Sequence, residues 1–296
     1  MVRVLLLLLV FPITVLSQNY VDIVKLSYAY SFDSQFEDTS ESTTVNTVEA
    51  GLLFPIVINE KHTFISGLNF DFNNLMVYPE SDRTNLYSTT LRLGMASTYS
   101  DKWSSMIVLM PKVASDYSSI TFDNFYFGGF AILKQKKTDK LFYRYGFYTS
   151  SEAFGVTFTP ILGFYYVSPS DKFEADISLP VAANINYNYG KVSLGFDYFG
   201  IERTYNLESE NNLKTYVEQN RWEFASYLQF NKFSKHILMR LKLGYAHNEH
   251  KVFEQGDKVD FKFIAFAFGD DRTRLNPKMQ GTLFAKVEFI YRIHFD

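Results

Sequence analysis

Thr282 to Asp296 reads TLFAKVEFIYRIHFD. Leu283, Ala285, Val287, Phe289, Tyr291, Ile293 and Phe295 occupy every second position, against Thr282, Phe284, Lys286, Glu288, Ile290, Arg292 and His294 on the others. A period of two is that of a β-strand, whose successive side chains point to opposite faces; at a helical period the same residues would spread around the axis. One face of this strand is apolar throughout, and the other carries charges of both signs.

The construction recurs upstream. Ile237, Met239, Leu241, Leu243 and Tyr245 oppose Arg240, Lys242 and Gly244, and Leu141, Tyr143, Tyr145 and Phe147 oppose Arg144 and Gly146. Tyr87, Leu91 and Leu93 oppose a face with Arg92, Phe64, Leu68 and Phe70 oppose one with Asp71, and Leu26, Tyr28 and Tyr30 oppose one with Lys25. A face with two cations two residues apart does not pack as a dry core. In a soluble β-sandwich it would be the solvated outside; in a transmembrane barrel it is the water-facing inside.

The connections favour the barrel. Compact polar turns at 59–62, 97–102, 135–140, 168–172 and 231–236 alternate with longer segments at 33–43, 73–84, 200–215 and 247–281. If the first strand rises from one side, every one of these short turns returns to that side, as periplasmic turns do beneath long extracellular loops. The 30 Phe and 21 Tyr exceed what a soluble core needs and suit a lipid face with interfacial girdles. No cysteine is present, so a core or closure of a sheet, not disulfides, must supply the stability, and closure fits better. After the N-terminus no run nears the roughly 20 apolar residues of a spanning helix.

At the N-terminus Arg3 precedes an apolar run from Val4 through Leu16, and Val15 and Ser17 stand before the polar Gln18. The expectation is a cleaved signal peptide over 1–17 and one barrel domain over 18–296.

The last strand resembles that of bacterial outer-membrane proteins. The resemblance implies that Tyr291, Ile293 and Phe295 form a C-terminal signal for the barrel-assembly machinery, although Phe295 is penultimate here. The whole pattern resembles the uncharacterised outer-membrane barrel families of Bacteroidetes-type bacteria, which implies outer-membrane lipid as surroundings and names no solute. The expected fold is therefore an all-β, antiparallel, transmembrane outer-membrane β-barrel of about 12 to 14 strands. The count depends on Pro180, after which 181–189 is a continuation, a short hairpin or a segment folded into the lumen. Likewise 261–268 is a loop hairpin or a strand.

Candidate functional residues are the charges expected to face the lumen: Arg92, Arg144, Glu223, Arg240, Lys242, Lys286, Glu288 and Arg292, with Glu49 and Asp71. They either set a field that orients a small solute or pair across strands and fill the lumen. Closure should bring Lys286, Glu288 and Arg292 near Lys25. The alternation puts His247 and Glu249 on one face and His250 on the other, so no metal site is expected, and no nucleophile or zinc motif points to catalysis or a cofactor. Asp270 with Asp271 reads as a solvated loop pair. Lys134, Lys136, Lys137 and Lys140 cluster at a turn and suit lipid headgroups rather than nucleic acid. The expected function is a narrow channel or small-solute uptake barrel. A structural or adhesive surface barrel and a lipid-modifying enzyme are the alternatives.

Overall fold

The computed structural model describes residues 20–207, 213–231 and 236–294. The barrel strands are β1 (Tyr20–Ser31), β2 (Asn46–Asn59), β3 (His62–Leu75), β4 (Thr84–Thr98), β5 (Trp103–Ser115), β6 (Phe125–Thr138) and β7 (Leu141–Glu152). They continue as β8 (Gly155–Val167), β9 (Phe173–Leu179), β10 (Ala182–Asn188), β11 (Val192–Leu207), β12 (Thr215–Phe230), β13 (Ile237–Glu254) and β14 (Thr282–His294). Each is antiparallel to the next, and β14 pairs with β1 from Tyr20↔His294 to Ser31↔Phe284, closing a barrel of 14 strands. Closure leaves no edge for another chain to extend.

Pro180 resolves as a turn. It joins β9 to β10 with Val181, the first ladder pair beyond it being Ser178↔Ala182. Proline cannot donate to a ladder and so sits where the chain reverses. The segment 261–268 is a hairpin within the last loop, with short strands Phe261–Phe263 and Phe266–Phe268, and is not one of the barrel strands.

The connections 60–61, 99–102, 139–140, 168–172 and 189–191 share the end where β1 begins, while 32–45, 76–83, 116–124 and 255–281 share the other. The 231–236 and 208–214 connections fall partly outside the described residues. Two short turns, 153–154 and 180–181, also lie at the loop-bearing end, so the sorting by length is less strict than the sequence suggests.

Burial is inverted relative to a water-soluble protein. Leu109 is 64% exposed and Leu243 and Leu283 stand on the same outer surface, while Arg240 is 7% exposed and Glu288 and Lys286 are buried inside. A bulge between Asp22 and Val24 shifts the register of β1, so that Asp22 and Lys25 share the inner face.

The alternation ends near the loop-bearing rim. Arg203 to Asn206 on β11 and Tyr216 to Gln219 on β12 are each buried at four successive positions, so both faces of these segments are covered. The end of β11 leans across the mouth: Asn206 pairs in parallel with Ser115 of β5, and Asp116 N–H donates to the Asn206 carbonyl at 3.1 Å. Beneath the loops Phe36, Leu75, Leu86, Tyr205, Val252 and Met279 belong to one buried apolar cluster. Asn276 stitches it together, accepting from Val252 N–H at 2.9 Å and donating to the Val77 and His250 carbonyls at 2.8 Å. These contacts form a cap over the barrel.

Candidate functional site: the capped lumen

Under the cap lies a cavity of about 940 Å³ whose walls include Arg92, Lys112, Phe130, Tyr148, Ile161 and Asp197. Its charges come from the inward positions of the alternating strands. Arg240 Nη1 lies 3.3 Å from Glu288, and Lys242 Nζ lies 2.5 Å from Asp197 and 3.4 Å from Glu288. Lys286 reaches Glu49 at 2.8 Å and Glu223 at 3.3 Å. Arg144 pairs with Asp176, and Arg292 with Asp22 at 2.6 Å while lying 3.5 Å over the Tyr20 ring. At closure Lys25 approaches Glu288 at 3.9 Å. Pairing is what a partly dry interior demands, since a lone buried charge costs several kcal/mol, on the order of the break-one-partner penalty. Arg92 differs: among the described residues it makes no ion pair, and the Asn69 carboxamide stands 2.6 Å away.

Several central residues escaped the sequence reading. Arg221, buried on β12, bonds Glu49 and Glu223, both at 2.7 Å, and so joins β12 to β2 through the lumen. Its signal was available, because Arg221 and Glu223 alternate with the exposed Trp222 and Phe224. At the cap Arg203 of β11 meets Asp71 of β3 at 2.8 Å. Thr204 donates from its N–H and its hydroxyl to Glu152, both at 2.9 Å, and Glu152 also takes Lys112 at 2.6 Å. At the opposite end of the lumen Tyr20 on β1 donates to Glu174 on β9 at 2.5 Å, two strands on opposite walls. The lumen is thus crossed above and below the cavity.

A second ionic cluster holds the last loop. Glu218, fully buried, accepts Arg272 at 2.7 Å and Lys262 at 2.9 Å, and Lys262 also reaches Glu202 at 2.6 Å. Lys262 stands 3.9 Å over the Phe154 ring, and Arg272 stands 4.0 Å over that of Phe253. Arg272 further bonds Asp270, and this hydrogen bond holds the Asp270 carboxyl below its ordinary range. At the turn end Lys136 does the same for Asp139.

His247 lies 3.8 Å from Glu249, whereas the buried His250 meets Gln219 at 3.2 Å, so the two histidines have separate surroundings. Lys140 pairs with Asp171 at 2.7 Å and Lys137 lies 5.7 Å over the Tyr143 ring, beside the turn end. Tyr291 is exposed on the outer face and Ile293 pairs with Val21; Phe295 lies outside the described residues.

A family model described as a domain of unknown function (DUF6268) matches residues 14–264. The chain belongs to this family. Among curated proteins none matches it. Solved structures similar to this DUF6268 barrel include the KdgM porin in complex with disordered oligogalacturonate, with 9% identity and a TM-score of 0.36 over 91% of this chain and 99% of that one. The NanC porin has 8% identity and a TM-score of 0.36 over 91% and 100%. The P. putida toluene transporter TodX has 9% identity and a TM-score of 0.36 over 92% and 90%.

Proposed function

We propose that the chain is an exported outer-membrane barrel of a Gram-negative cell that admits small solutes, with residues 1–17 as its leader. The observation that carries this reading is the closed barrel with an apolar exterior around a cavity of about 940 Å³ lined by charges. An exterior of this kind belongs in hydrocarbon, where each strand shows lipid every second residue. In this reading Tyr291, Ile293 and Phe295 serve assembly of the barrel in the lipid. Within the lumen Arg92 is a cation left available to a solute, while Arg240, Lys242, Lys286, Glu288, Arg144, Glu223 and Arg292 hold the wall in shape through their pairs.

The test is conductance of the purified, folded protein in planar bilayers, wild type against Arg203→Ala. Brief, small openings in the wild type and larger, longer ones in the variant support a capped channel. Silence in both would overturn it. The cap itself favours a second reading, a surface barrel without transport, and silence in both proteins is the result that reading expects.

A further inference from the structure

The barrel wall is incomplete beside β9 and β10. These strands have 7 residues each, against 12 to 18 in the others. The β8–β9 ladder ends at Leu162↔Leu179 and the β10–β11 ladder at Ala182↔Phe199. Above those pairs, Gly155–Ile161 of β8 and Ile201–Leu207 of β11 have no barrel strand between them.

The 261–268 hairpin enters this gap. It pairs with β8 at Thr157↔Lys262 and Phe158↔Phe263, and Ile264 N–H donates to the Phe158 carbonyl at 2.9 Å. Its other strand, Phe266–Phe268, has no strand pairing with β11 among the described residues. Phe261, Phe263, Phe266 and Phe268 all face outward, Phe266 being 69% exposed, and the ring of Phe263 continues a stack through Phe158 to Phe147. Lys262 faces inward to Glu202 and Glu218. The hairpin therefore carries the same apolar-out, polar-in pattern as the wall it completes. Among the described residues its strand pairing with the wall runs along the β8 edge alone, and on the β11 side the Lys262 side chain ties it to Glu202.

The cavity extends to this insert. Ile264 and Ala265 at its tip line the cavity together with Ile161, Pro180, Val181 and Ile201 around the gap. Ile264 has φ of +58°, a left-handed conformation that a β-branched residue adopts at a cost. Arg92 lies on β4, across the barrel from β11.

We infer that the Phe261–Phe268 hairpin is a removable panel over a side opening, through which an amphiphile with an apolar tail and an anionic head passes between the outside of the wall and the cavity. The apolar rim accommodates the tail, and Arg92 meets the head. The inference rests on the uptake reading and gives it a route and a solute class. It also explains how a cavity crossed above by Arg203 and Asp71 and below by Tyr20 and Glu174 is reached.

The chain has no cysteine, so the panel can be stapled to β8 by the double variant F158C/F263C. The full-length protein is placed in lipid nanodiscs, with folding checked by heat-modifiable gel mobility. Binding of a dansyl-labelled undecanoate is followed by fluorescence. The expected result is rapid binding in the dithiol form, binding reduced to that of empty nanodiscs after oxidation, and recovery with dithiothreitol. Lys262→Gln, which frees the panel without a staple, should bind faster than wild type. Arg92→Gln should weaken the affinity by about tenfold or more, the equivalent of one lost charged hydrogen bond. Equal binding rates in the oxidised and reduced forms, or no binding in either, would overturn the side opening. The conductance measurement is independent: ion passage with no effect of the staple sinks the panel and leaves the channel standing.

Discussion

Arg203 on β11 and Asp71 on β3 meet at 2.8 Å across the mouth of the barrel, although their strands lie on nearly opposite walls. Removing one partner of a buried pair costs about 3–5 kcal/mol because the other charge is left uncompensated. Arg203→Ala should therefore loosen the cap. Single-channel recording should show longer and larger openings, and the Asp71→Asn/Arg203→Ala double variant should be less perturbed than Arg203→Ala alone. Wild-type traces from Arg203→Ala would mean that the β11 end is held without this pair.

Asn276 satisfies three backbone groups from two segments. Asn276→Ala leaves the Val252 N–H and two carbonyls without it, at about 1–3 kcal/mol for each group that stays dry. Residues 255–281 should become sensitive to protease added to intact proteoliposomes, while barrel mobility on a gel is unchanged. Met279→Ala, emptying a buried site in the same cap, should act alike with a cost of about 2–5 kcal/mol.

Selectivity should depend on Arg92 rather than on Arg240 and Lys242. Arg92→Glu reverses a charge that no ion pair engages and should move the reversal potential in a salt gradient towards cations. Arg240→Glu with Lys242→Glu places two acids beside Glu288 and Asp197, which their partners now neutralise. The expected result there is a drop in the temperature at which the folded band is lost. A clean selectivity change with unaltered stability would show that the pairs contribute little.

The barrel was legible in the sequence because lipid and lumen impose opposite chemistry on neighbouring residues. Leu241 against Arg240 and Lys242, or Phe289 against Glu288, reports the wall directly. The cap was not legible, and the reason is physical. Where Arg203 to Asn206 and Tyr216 to Gln219 are covered on both sides, the period of two disappears. Its contacts also join residues remote in the chain, such as Phe36 with Met279. The pairing of Arg221 with Glu49 shows the same limit inside the lumen: alternation places a charge on a face, and only the closed sheet supplies its partner.

Acid should release the last loop. Asp270 is held below its ordinary range by Arg272, so its contribution to fixing Arg272, which reaches Glu218 of the wall, is present at pH above the unfolded value of about 4 and is lost as pH falls through the lower folded value. Protease cleavage within 269–281 should accelerate at low pH, and Asp270→Asn should raise cleavage at neutral pH while weakening the acid response. An acid response as large in Asp270→Asn as in the wild type would assign the release to other groups.

The shortness of β9 and β10 also bears on the lipid around the protein. Seven residues tilted at about 40° rise roughly 18 Å, whereas the apolar band of an outer-membrane barrel is roughly 25 Å tall. On this one flank the remaining height is supplied by the hairpin alone. A thicker bilayer favours the seated hairpin, whose phenylalanines complete the match, and a thinner one tolerates its departure at little cost. Membrane thickness thereby becomes a control variable for this wall, sensed on one side of the barrel and not on the others.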